Sequence, residues 1–211
     1  MISRIVLLFL AVTGVVQFGA QNAAQQDART VLSPDGQLEF RLFVGQPEGS
    51  GLTRLAYQVL RRGKPIVGTS YLGIDIVPQE PLLGENLGLT GSSVSIGAGY
   101  NELRAQYMQN GSLGRRLDLD VRAYDSKVEF RYLVPRSTPL AEPFTIDDEK
   151  TEFAVEPEAA GMVKIGEDGA GKYPAMTLLR ERGAVMVTRL DRQFEATTPL
   201  TTPWRVIGIV P

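Results

Sequence analysis

The chain has 211 residues, 22 of them Lys or Arg and 24 Asp or Glu, a formal net charge of -2, and neither cysteine nor histidine. That balance, with no basic block, argues against a nucleic-acid partner and against an anionic membrane surface. The missing residue types exclude disulfides, thiolate and imidazole metal sites, Cys nucleophiles and Ser-His-Asp triads; acid-base chemistry is left to Asp, Glu, Lys or Tyr, and metals to oxygen ligands.

Arg4 precedes an apolar run from Ile5 to Val16, and small residues follow at Gly19, Ala20, Ala23 and Ala24. The run suits a signal-peptide core and is short of the ~20 apolar residues of a membrane span. Residues 1–24 therefore read as an export signal, and residues 25–211 as one domain delivered to the periplasm or the extracellular space. No membrane span is expected after cleavage.

A polar stretch, Gln21 to Arg29, leads to the tight-turn signal Ser33-Pro34-Asp35-Gly36. Leu38, Phe40, Leu42 and Val44 then alternate with polar residues, the period of a half-buried strand. Leu55, Tyr57 and Val59 repeat the pattern. Arg61-Arg62-Gly63-Lys64-Pro65 turns the chain into Ile66-Val67, and Leu72, Ile74 and Ile76 follow. Leu82 to Gly99, rich in Gly and Ser, reads as loop with a short strand at Val94 to Ile96. Leu103, Ala105 and Tyr107 alternate again.

The clearest hairpin runs up Leu117, Leu119, Val121 and Ala123, turns at Asp125-Ser126, and returns along Val128, Phe130, Tyr132 and Val134. Weaker strand signals lie at Phe153 and Val155, at Met176 and Leu178, and at Val185, Val187 and Leu190; Trp204 to Ile209 closes the series. No window sustains a 3.6-residue period. Gly and Pro recur every ~10 residues, the rhythm of an all-β antiparallel sandwich or barrel.

Among polar candidates, Asp147-Asp148-Glu149 reads as an exposed acidic turn, because consecutive residues of an extended segment point different ways. Arg61-Arg62 and Arg115-Arg116 read as exposed hairpin residues. Tyr107, Phe130 and Tyr132 share the core phase of their strands. Tyr100 and Tyr173 flank loops, where a flat ring could stack on a sugar, and are the candidate carbohydrate-binding residues.

Several pieces carry a family resemblance in their order: Ser33-Pro34-Asp35-Gly36; Leu55 to Val59 with Gly63-Lys64-Pro65-Ile66-Val67; Ser70-Tyr71-Leu72-Gly73; Tyr100-Asn101-Glu102-Leu103; Arg122-Ala123-Tyr124-Asp125 with Val128 to Tyr132; Asp148-Glu149 with Thr151-Glu152-Phe153; and Thr202-Pro203-Trp204-Arg205-Val206-Ile207. Together, from Ser33 to Ile209, they resemble the N-terminal domain of glycoside hydrolase family 97. The resemblance implies a β-super-sandwich, like that of galactose mutarotase, packed on a TIM barrel that carries the catalytic carboxylates. Such enzymes hydrolyse α-glucosides or α-galactosides with a calcium ion in the active site, one of whose ligands is a Glu of the N-terminal domain.

That Glu falls on Glu167, in Ile165-Gly166-Glu167-Asp168. Two neighbours depart from the family: Gly166 stands in place of a His, and Lys172 in place of an acidic residue. The stretch from Val155 to Lys164 is also shorter. No catalytic residue is expected in this chain, since the family's paired carboxylates lie beyond Trp204-Arg205 and a glycosidase needs both. A mutarotase activity would need a His acid. Trp204 is expected to pack at the domain junction, and calcium to bind only where a barrel completes the site. The expected function is a non-catalytic exported sandwich that binds carbohydrate; the alternative is the N-terminal piece or subunit of a calcium-dependent α-glycosidase whose barrel is supplied elsewhere.

Overall fold

The computed structural model describes residues 26–169, 172–182 and 185–210. The export signal expected over residues 1–24 lies outside them. The strands in chain order are β1 (Gln26–Leu32), β2 (Leu38–Gly45), β3 (Arg54–Arg61), β4 (Lys64–Tyr71), β5 (Ile74–Val77), β6 (Gln79–Leu83), β7 (Leu87–Ile96), β8 (Asn101–Gln109) and β9 (Arg116–Ala123). There follow β10 (Lys127–Val134), β11 (Phe144–Glu149), β12 (Glu152–Ala154), β13 (Val163–Asp168), β14 (Met176–Arg182), β15 (Val185–Leu190), β16 (Phe194–Ala196), β17 (Leu200–Thr201) and β18 (Trp204–Ile209). A 3-10 turn, Pro157–Ala159, lies between β12 and β13. Among the described residues no helix is long and apolar enough to cross a membrane.

Every pairing is antiparallel, as the sequence predicts for an all-β sandwich. A four-stranded sheet, β1-β2-β3-β4, faces a seven-stranded sheet of order β13-β18-β10-β9-β8-β7, with β17 beside β10. Two smaller sheets, β16-β11-β5-β6 and β12-β15-β14, complete the fold, with β12 packed along β4. The period-2 patterns put Phe40 and Tyr57 on one inner face and Phe130 and Tyr132 on the other, all fully buried. Phe40 stacks on Tyr57 with centroids 5.1 Å apart, and Tyr57 leans on Phe130 at 5.1 Å. Such aromatic pairs add about 1 kcal/mol each beyond the area they bury. The turn into β2 forms as expected: the Ser33 hydroxyl donates to Asp35 Oδ1 at 2.6 Å, and Gly36 takes a left-handed φ of 69°.

Four expectations change. The segment read as loop is a ten-residue strand, β7, laid along β8 from Leu87 to Ile96. Its Gly and Ser have poor strand propensity, and the ladder with β8 overrides it. Gln26 to Arg29, in the polar stretch, already belongs to β1. Arg115 is fully buried. Its Nε donates to Gln109 Oε1 at 2.6 Å, and its other nitrogens donate to the Gln79 and Pro81 carbonyls, tying the β8-β9 turn to β6. Burial pulls the pKa of its guanidinium down. Finally, Asp148 and Glu149 are buried within β11 rather than exposed in a turn. A register shift between Ile146 and Asp148 is the cause: a bulge lets neighbouring residues both leave the solvent face.

Candidate functional site

The densest polar arrangement gathers at the end of the sandwich where β11, β13 and β18 meet. On β18, Arg205 alternates in phase with the core residue Ile207, so its side chain points inward, opposite Phe130 on one side and Glu167 on the other. There it meets Glu149; both side chains are 0% exposed. The Arg205 Nε donates to Glu149 Oε1 at 2.8 Å and Nη2 donates to Oε2 at 2.6 Å, a bidentate pair.

Two hydroxyls complete the carboxylate. Thr151 Oγ1 donates to Oε1 at 2.7 Å, and Tyr173 donates to Oε2 at 3.2 Å. Tyr132 shares a 2.6 Å bond with Thr151 Oγ1, and since that hydroxyl gives its proton to Glu149, Tyr132 is the donor. Thr188 Oγ1 donates to the Glu149 carbonyl at 2.8 Å and accepts from the Thr151 N–H at 3.0 Å. Buried charges persist only when so fully partnered. Burial pulls the pKa of Arg205 down, but the charge and hydrogen bonds of Glu149 outweigh it and hold the guanidinium above its ordinary value. Burial, then the Glu149 charge, pushes the Tyr173 phenol well above its usual pKa.

The third Arg205 nitrogen donates to Glu167 Oε2. Glu167 lies near the end of β13, a strand absent from the sequence reading, with its carboxylate engaged by Arg205 and its side chain 24% exposed. Calcium takes six to eight oxygens. Among the described residues no group of three or more acidic side chains is placed to hold a metal.

On the opposite face of the same strands, the Trp204 ring lies 4.5 Å from the Arg122 guanidinium and 4.3 Å from that of Arg131. A cavity of about 260 Å³ opens beside it, lined by Trp204, Arg131, Asp168, Lys172, Tyr173 and Thr201 among others. A second, of about 470 Å³, shares Lys172, Tyr173 and Thr201 and extends to Phe194, Glu195 and Leu200. The smaller cavity thus brings two cations, one carboxylate, hydroxyls and the Trp204 indole around one hollow.

The two candidate tyrosines do not come together. Tyr173 borders both cavities but is buried, its ring edge-on to Phe194 at 5.8 Å and 5.7 Å from the Arg205 guanidinium. It supplies cavity wall and a hydroxyl to Glu149 rather than a free stacking face. Tyr100 is half-buried, 5.1 Å from Tyr124 and 4.8 Å from Arg122, and lies so close over Gly97 that a Cβ there would strike its ring. Arg122 links it to Trp204, on the face away from Glu167. Glu149 and Arg205 escaped the sequence reading as a pair. An Arg in phase with Ile207 was a usable signal for a buried partner; the bulge that turns Glu149 inward left none.

The sequence profile described as glycosyl-hydrolase 97 N-terminal matches residues 31–161. No curated protein matches the chain. Among solved structures, a glycoside hydrolase family 97 enzyme in complex with acarbose, from Pseudoalteromonas sp. strain K8, superposes with a TM-score of 0.72 at 22% identity, over 86% of this chain and 35% of that one. A β-arabinopyranosidase superposes with a TM-score of 0.68 at 20% identity, over 88% of this chain and 40% of that one. These likenesses are of fold. The chain spans about a third of the length of the first of these enzymes.

Proposed function

The chain belongs to the glycosyl-hydrolase 97 N-terminal family, and from that premise we propose that it is a non-catalytic, exported β-sandwich that contacts carbohydrate at the hollow beside Trp204. The family match is to the N-terminal domain, which lacks the catalytic barrel. The observation that carries the reading is the 260 Å³ cavity, where Arg131 and Lys172 supply donors, Asp168 an acceptor and Trp204 an apolar edge. Glu149, Arg205 and Tyr173 hold its wall rigid from behind, which favours binding by lowering the ordering cost. Residues 1–24 would deliver the domain outside the cytoplasm.

A second reading is favoured by the coverage, 86% of this chain against 35% of the enzyme. In it the chain is the N-terminal part or subunit of a calcium-dependent α-glycosidase. Glu167, near the end of β13, then offers that domain's calcium one carboxylate.

Calorimetry with α-gluco- and α-galacto-oligosaccharides, with and without calcium, beside a nitrophenyl α-glycoside release assay, tests both. Binding without turnover, lost in Lys172→Ala, supports the first reading. Binding that appears only after a family 97 catalytic domain is added supports the second. Turnover by this chain alone would sink both.

A further inference from the structure

Among the described residues, eight strands end the four sheets. Seven of them contain a charged residue or a proline, as in Lys64-Pro65 of β4 and Glu80-Pro81 of β6. Such residues blunt the unpaired hydrogen-bonding edge against other chains. The exception is β7, Leu87–Ile96, which has neither.

The first half of β7 is covered. Asp27 Oδ2 accepts from the Leu89 N–H at 3.4 Å, the Arg29 Nε donates to Ser92 Oγ at 2.9 Å, and the ladder slips between Leu89 and Gly91. From Ser92 to Ile96 the pairing with β8 is regular, and among the described residues no strand lies on the other side. The apolar side chains there are open: Val94 is 59% exposed and Ile96 89%.

We infer that this edge is a self-association surface, on which a second copy of the chain lays its own β7 antiparallel across a two-fold axis at Val94. Two features select a copy of this chain. A neutral strand has no charge with which to recruit a charged one, whereas an identical neutral strand meets no repulsion. The flanking rows then choose the register. Ser93 continues into Arg104, Asp120 and Arg131; Ser95 continues into Glu102, Arg122 and Glu129. An axis at Val94 sets the Ser93 row of one copy against the Ser95 row of the other, so Arg104 lies in line with Glu102. An axis at Ser93 or Ser95 would align like charges. At Val94 the two valines face each other, and each Ile96 meets a Ser92.

The chain has no cysteine, so Val94→Cys is a lone thiol. Residues directly opposite in an antiparallel pair have Cα atoms about 4.5–5.5 Å apart, within the span of a disulfide. Mild oxidation should convert Val94→Cys to a covalent dimer, while Glu158→Cys, exposed at the 3-10 turn, stays monomeric. In sedimentation the unmodified chain should show a concentration-dependent dimer. Val94→Lys, tolerated at an exposed edge, should weaken it about fivefold or more by opposing two ammonium groups. A chain that is monomeric at every concentration, or one in which Ser93→Cys or Glu158→Cys cross-links as well as Val94→Cys, overturns the inference.

Discussion

Replacing Arg205 by Met removes the cation from a site with no access to water. Both members of the pair are 0% exposed, so Glu149 would keep its burial and lose its two strongest donors. Thr151 at 2.7 Å and Tyr173 at 3.2 Å would remain, neither of them charged. Breaking a buried ion pair by deleting one partner costs about 3–5 kcal/mol. At ~2–4 °C per kcal/mol for a domain of this size, the melting temperature of Arg205→Met should fall by about 6–20 °C. Removing both charges is a different perturbation, because no ion is then stranded. Glu149→Leu combined with Arg205→Met should therefore recover about 1–3 kcal/mol over Arg205→Met alone. Urea titrations followed by circular dichroism and by the single tryptophan give the free energies. A cost below about 1 kcal/mol for Arg205→Met, or strictly additive effects, would show that this network does not carry the junction of β11 and β18.

Two carboxylates should shape the pH dependence in opposite senses. Burial tends to raise the pKa of Asp148, but Lys150, the Leu190 N–H and Arg189 outweigh it and hold the group below its ordinary value. Its stabilising contribution is present above about pH 4, the unfolded value, and is lost as pH falls through the folded one, so Asp148→Asn should flatten the acid limb of a stability profile. Burial raises Asp118, whose Oδ1 is buried without a hydrogen-bond partner. That contribution is present below about pH 4 and lost as pH rises through the folded value, so Asp118→Asn should raise the urea midpoint at pH 7. Gly84 has φ 142°, and a Cβ there would come within 2.5 Å of the Leu72 carbonyl oxygen. Gly84→Ala should cost about 3 kcal/mol or more, against ~1 kcal/mol for Gly99→Ala, where φ is also positive but nothing lies within reach of the new methyl; thermal melts separate the two.

Most of the fold was legible along the chain because a half-buried strand writes its period into its residues. Leu38 to Val44, Leu55 to Val59 and the Leu117–Val134 hairpin all carry their burial in alternate positions, and the tight turn at Ser33 to Gly36 follows from local side-chain hydrogen bonding. The family likewise showed in short segments held in a fixed order. What tertiary structure alone decided were the properties that depend on a neighbour distant in sequence. β7 is a strand because β8 pairs with it, against the preference of its Gly and Ser. Arg115 is buried because the carbonyls of β6 arrive to accept its protons. Glu149 turns inward because a bulge against β5 shifts the phase of β11 by one residue. Tyr173 lost its reading as an open platform for the same reason, since Glu149 and Arg205 meet it across 24 and 32 positions of chain, and pairing at that range leaves no periodic trace in either segment.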